Sequence, residues 1–171
     1  MLTSQLEIIQ QGQDYLHSLV INGVSENYRE VISPLFISSA GAHMRHIIDH
    51  YLAIISGLNQ GLIDYDVRHR GDKLELEPEL AQAKLTQISH WLQSLATTDL
   101  NRTLVLSTEI SVTQTKTQSV PTSLARELVF AGSHAVHHYA MIAQIAQQQK
   151  LALSASFGIA PATATHLRKS A

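Results

Sequence analysis

From Pro121, Thr122 and Ser123 to about Gln148 the chain carries apolar residues at helical spacing without a breaker. A helix of that length has a long apolar face to bury, and the other helices of the chain are what can cover it. Three further stretches share the period. Ser4 and Glu7 have capping-box spacing, and Leu6, Ile9, Tyr15, Leu16, Leu19 and Val20 continue an apolar stripe, which predicts a helix over residues 4–22. Asn22 and Gly23 stop it, and Pro34 breaks the next stretch. A second helix opens at Ser38, Ser39 or Ala40 and runs to Gly57 or Gln60. A polar loop from Asp64 to Leu76 leads to Pro78, a good first helical residue, and a third helix reads to about Leu95.

Between Arg102 and Thr117 the period changes. Leu104 and Leu106, then Ile110 and Val112, alternate with Thr and Ser, predicting a short β-hairpin or extended excursion around residues 102–117. The tail from Ser154 contains Phe157-Gly-Ile-Ala-Pro161, an ordered turn before a short last segment ending in Arg168 and Lys169. No repeat or low-complexity linker divides the 171 residues, so one domain over 1–171 is expected, long enough to bury roughly two-thirds of its unfolded surface.

A net charge of -2 gives no electrostatic case for nucleic acid. No apolar run approaches the ~20 residues that span a bilayer. Met1 to Gln11 lacks a basic region followed by an apolar core, and the absence of cysteine suits a reducing cytosol, so the expectation is a cytoplasmic protein. The absence of cysteine also removes thiolate sites, leaving imidazole and carboxylate as metal ligands. Ten histidines stand against three phenylalanines and one tryptophan.

Six of those histidines fall in two helical clusters. In Gly41-Ala-His43-Met-Arg-His46-Ile-Ile-Asp49-His50-Tyr51, at about 100° per residue, His43, His46 and His50 lie within roughly 60° of one another. In Ser133-His134-Ala-Val-His137-His138-Tyr139, His134 and His138 are one turn apart and within roughly 40°, so both can reach one point, while His137 points elsewhere. Glu127, seven residues before His134, returns to nearly the same face as a distant ligand or a hydrogen-bond acceptor behind one. A borderline cation takes neutral imidazole nitrogens, and two ligands from one helical turn plus a third from a facing helix supply such a site with a position left open. The plainer reading of such histidines is that they edge the core, bond to carbonyls or face solvent; His17, His69, His90 and His166, taken singly, are read that way.

The two histidine-bearing helices together resemble the DinB/YfiT-like family of metal-dependent enzymes, and the order of elements fits that family from the first helix to about Arg168. The resemblance implies an all-α four-helix bundle with a long crossover. It also implies one divalent metal held by one histidine of the second helix and an HxxxH pair of a later one. By position these are His46, His134 and His138. The extra histidines at 43, 50 and 137 depart from the minimal pattern, and His50 is the rival to His46. Asp49 either orients a ligand imidazole or is a solvated surface carboxylate. The resemblance further implies transfer of small thiols or hydrolysis, and a homodimer.

An enzyme of this kind leaves an open metal position for water or a thiol, with a small-molecule substrate, a thiol among the candidates, and His50, His137 or Asp49 as candidates for handling protons. Arg45, Arg68 and Arg70 are candidates for holding an anionic substrate, and Tyr51 and Tyr139 for lining a pocket or packing in the core. Zinc or nickel comes first among the metals, with iron and manganese also compatible. The competing reading is a non-catalytic metal-binding or dimerising bundle, whose mark would be a closed shell with His50 or Glu127 as a fourth ligand; a metal-free bundle is the third.

Overall fold

A computed structural model describes residues 1–170. Four long helices, α1 (Leu2–Ile21), α3 (Ala40–Gln60), α4 (Pro78–Ser94) and α5 (Leu124–Gln148), carry the core. Two shorter helices, α2 (Glu26–Arg29) and α6 (Pro161–Ser170), two 3-10 turns (Lys73–Glu75 and Thr97–Asn101) and three strands, β1 (Leu62–Asp64), β2 (Thr103–Glu109) and β3 (Thr117–Ser123), complete the described elements. α1 packs on α4 and α5, and α3 packs on α5 and α4. Their apolar stripes meet in one core through Ile9 and Leu16, Ile47 and Ile54, Leu85 and Ile88, and Leu128 and Ile142. Each such side chain stabilises the fold by roughly 1.5–3 kcal/mol relative to exposure.

The ends of α3 follow local chemistry. Ser39 Oγ accepts the Ala42 N–H at 3.1 Å, and Gly61, at φ 78°, closes the helix with its N–H on the Gly57 carbonyl at 2.7 Å. α1 begins at Leu2 with no side-chain cap, so Ser4 and Glu7 lie inside the helix and the expected capping box does not form.

The all-α expectation is corrected. The chain builds a three-stranded mixed sheet in the order β1-β2-β3, with β1 parallel to β2 and β2 antiparallel to β3. Ile63, Leu104 and Leu106 turn inward from it, while Val105 and Val120 stay 40% exposed. β1 escapes sequence reading because it is three residues long with a single buried side chain, Ile63. Residues 121–123 are the expected start of the last long helix. Pro121 instead lies in β3 opposite Val105, in an outer strand where proline's missing N–H is tolerated, and α5 starts at Leu124 with Ser123 Oγ accepting the Arg126 N–H.

Two glycines allow close approaches. A Cβ on Gly41 would stand 2.1 Å from the Glu75 carbonyl oxygen, so glycine lets the 3-10 turn Lys73–Glu75 rest on the first turn of α3. Gly158, at φ 70°, sits against the α5 backbone at Ala140 and donates its N–H to Gln11 Oε1 at 3.1 Å. That contact docks the tail, with Phe157 5.6 Å from Tyr15 and 5.1 Å from Tyr139, centroid to centroid.

Candidate metal centre

α3 and α5 face each other and bring three imidazoles to one place. His134 Nε2 stands 3.0 Å from His46 Nε2 and 3.1 Å from His138 Nε2, and the three ligand atoms all lie within 4.8 Å of one another. The rings meet edge to face, at 74° for His46 and His134, 84° for His46 and His138, and 71° for His134 and His138.

A neutral ring nitrogen has either one in-plane hydrogen or one in-plane lone pair, so His134 Nε2 can serve only one of its two neighbours by hydrogen bonding. A shared cation satisfies all three. Nitrogens about 2.1 Å from one ion stand about 3.0 Å apart at a right angle and about 3.4 Å apart at the tetrahedral angle, which the two spacings around His134 fit.

The electrostatics agree with the ligand form. Burial first, then the neighbouring imidazoles His50 and His134, lower the His46 pKa to about 3. Burial followed by His50 and His137 lowers His134 to about 4, and burial followed by His134 and His46 lowers His138 to about 2. All three are neutral at physiological pH, the state in which imidazole ligates.

The other histidines take distinct places. His43 Nδ1 lies 2.9 Å from His138 Nδ1, on the far side of that ring from the cluster. His50, the rival to His46, donates its Nδ1–H to the His46 carbonyl at 3.0 Å and stacks on Tyr65 at 4.8 Å between centroids. Its ring is 4.2 Å from that of His134, and burial lowers its pKa. The α3 nitrogen in the three-atom cluster is therefore that of His46, with His50 packed beside it. His137 is exposed, and it lines a separate cavity of about 680 Å³ with Ile8, Val129 and Val136.

The carboxylates turn away from the cluster. Asp49 is buried and accepts from Arg45 at 2.7 Å and from His69 Nδ1 at 2.8 Å, neither a cluster ring; it is not a solvated surface group. Arg45 also donates to Glu75 at 3.0 Å, so its guanidinium is committed to two acids. Glu127, fully buried, accepts the Tyr65 hydroxyl at 2.6 Å and donors from Thr122 and Arg126. Tyr51 and Tyr139 are both in the core, with the Tyr51 hydroxyl on Gln5 Oε1 at 2.8 Å.

Sequence reading missed the roles of Tyr65 and His69. Both lie in the polar loop after β1, and each contacts α3 at a cluster-bearing turn, Tyr65 through His50 and His69 through Asp49. Their signal was the run Tyr65-Asp-Val-Arg-His-Arg70, whose aromatic and cationic residues crowd a segment otherwise typical of a loop.

No family model and no solved structure matches the chain. It is 31% identical over 108 residues to FK506-binding protein 5 of Rhizopus delemar, a match covering 63% of this chain and 28% of that protein. The chain thus spans well under a third of that relative, whose name refers to FK506 as a property of the fungal protein. Among the described residues, no helix is long and apolar enough to cross a membrane.

Proposed function

We propose that this chain is a metal-dependent enzyme of the DinB/YfiT-like kind, a hydrolase or small-thiol transferase, with one divalent ion held by His46, His134 and His138. The observation that carries the reading is the approach of His134 Nε2 to two other ring nitrogens at 3.0 and 3.1 Å, from two different helices. Zinc or nickel is the first assignment, and iron or manganese the next, because three neutral imidazoles suit all four. When bound, such an ion supplies Lewis acidity, polarising a substrate oxygen and easing loss of a proton from water or a thiol.

The chain's own groups divide the remaining work. His50 keeps its Nδ1 hydrogen on the His46 carbonyl, which leaves Nε2 with its lone pair to take up a proton. Tyr65 and Phe130 flank His50, and Phe130 stacks on His134 at 5.7 Å, so aromatic surface excludes water from one side of the cluster. Of the two candidates for a fourth ligand, Glu127 is taken up by partners elsewhere and His50 lies outside the three-atom cluster, so neither closes the ligand shell as the protein stands. That arrangement favours an open site over a closed structural one.

Elemental analysis of untagged protein tests the ligand set. One equivalent of divalent metal is expected in the parent and none in a folded His134→Ala variant, whereas His137→Ala keeps full occupancy. Stoichiometric metal in His134→Ala rejects the assignment.

A further inference from the structure

A cavity of about 680 Å³ lies between α1, α5 and the tail, walled by Gln5 and Ile8, by Val129 and Val136, and by Ala160. It has the volume of a small-molecule site, and most of its lining is apolar. No lysine, arginine, aspartate or glutamate borders it. Of the clustered histidines only His137 reaches it, with its ring 5.4 Å from that of His138, centroid to centroid.

Gln5 supplies a polar point in that wall. It is 4% exposed, and its Oε1 accepts the buried Tyr51 hydroxyl at 2.8 Å. The amide held in this way keeps two hydrogens on Nε2, and among the described residues no acceptor takes either. A Cβ on Gly132, which also lines the cavity, would stand 2.6 Å from Gln5 Nε2 and 3.0 Å from Ile8 Cδ1, so the nitrogen lies against the cavity wall. Unlike Tyr15 Oη and Gln82 Oε1, which are sealed in the core without a partner, this nitrogen keeps open surface, and the opening is the cavity. We propose that the cavity binds an uncharged small molecule with an apolar body and a carbonyl oxygen that accepts from Gln5 Nε2. The apolar body matches the lining, and an ionic ligand would lose hydration there without gaining a counter-charge. This site is distinct from the metal centre and does not depend on it.

The test uses the full chain and two probes of nearly equal shape, benzophenone and diphenylmethane, which differ in a carbonyl against a methylene. Binding is followed by proton–nitrogen correlation NMR, where the side-chain NH₂ of Gln5 reports directly. The parent is expected to bind benzophenone about five- to tenfold more tightly, the worth of one net hydrogen bond. The Gln5 side-chain signal should move more with benzophenone than with diphenylmethane. Gln5→Glu, which keeps an acceptor for Tyr51 but replaces the donor by oxygen, should lose the preference and still bind diphenylmethane. Val129→Trp, a change at a half-exposed lining position that fills the cavity, should bind neither probe. Equal affinities in the parent, an unmoved Gln5 signal or undiminished binding to Val129→Trp would each overturn the inference. Sedimentation showing a dimer that Val129→Trp disrupts would give this face to a second copy of the chain, and would overturn it as well.

Discussion

His43 Nδ1 and His138 Nδ1 are 2.9 Å apart across the α3–α5 contact, a separation that requires one nitrogen to donate and the other to accept. His138 can present a lone pair at Nε2 only if its hydrogen is on Nδ1, so His43 is the acceptor whenever His138 ligates. Replacing His43 by Leu removes that acceptor and is expected to weaken metal binding about 10- to 100-fold, the usual effect of losing a partner that orients a ligand imidazole. His43→Gln, which offers a carbonyl oxygen, should recover part of the loss. Chelator competition measures all three proteins, and equal affinities would show that His43 has no part in holding His138.

Gly41→Ala tests the seat of the 3-10 turn. The new methyl would stand 2.1 Å from the Glu75 carbonyl oxygen and 2.8 Å from its carbon, both backbone atoms, so the turn must move. Overpacking of this kind costs about 1–3 kcal/mol. The displaced turn also strains the Arg45–Glu75 pair at 3.0 Å. Urea unfolding should show the loss, and a midpoint equal to that of the parent would mean that the turn yields freely.

The periodic helices were legible because a buried face repeats every three to four residues over many turns, as Ile47, Tyr51, Ile54 and Leu58 do in α3. β1 was not, since three residues hold no period, and its partner β2 lies some forty residues further along the chain. Pro121 misled the reading of β3 because proline suits a helix start and an outer strand equally well, and only strand pairing decides between them. At the cluster, helical geometry placed His134 with His138, but the preference for His46 over His50 came from the family resemblance. What separates those two in the folded chain is the Nδ1–H of His50 on the His46 carbonyl and its stacking on Tyr65, and neither leaves a trace in spacing. The partners of Asp49 were hidden for the same reason, because His69 comes from a loop whose path the sequence does not specify.

Tyr65→Phe isolates the buried hydrogen bond behind His50. The hydroxyl donates to Glu127 Oε2 at 2.6 Å, and Glu127 has no exposed surface. Loss of a hydrogen bond to a buried charged group costs roughly 1.5–3 kcal/mol. The aromatic ring remains, so its stacking on His50 persists. Thermal or urea denaturation should therefore register the loss while metal stoichiometry stays at the parent value. A variant as stable as the parent would mean that Glu127 is satisfied by Thr122 and Arg126 alone.

The lowered histidine pKa values set a pH dependence with a definite sign. His46, His134 and His138 titrate at about 3, 4 and 2 in the folded chain against an ordinary value of 6.5, and burial lowers His43 and His50 as well. Between those folded values and 6.5 the unfolded chain binds more protons than the folded one, so stability rises with pH across that interval. The stabilisation is fully present above about pH 6.5 and is lost as pH falls toward the folded values. Metal-free protein should accordingly unfold at progressively lower urea concentration from pH 7 to pH 5, where ordinary carboxylates stay largely ionised. His138→Gln, which removes one of the displaced titrations, should show a shallower decline. A parent midpoint that is flat from pH 7 to pH 5 would mean that the cluster is not held neutral by burial, and the ready-made ligand state of these imidazoles would go with it.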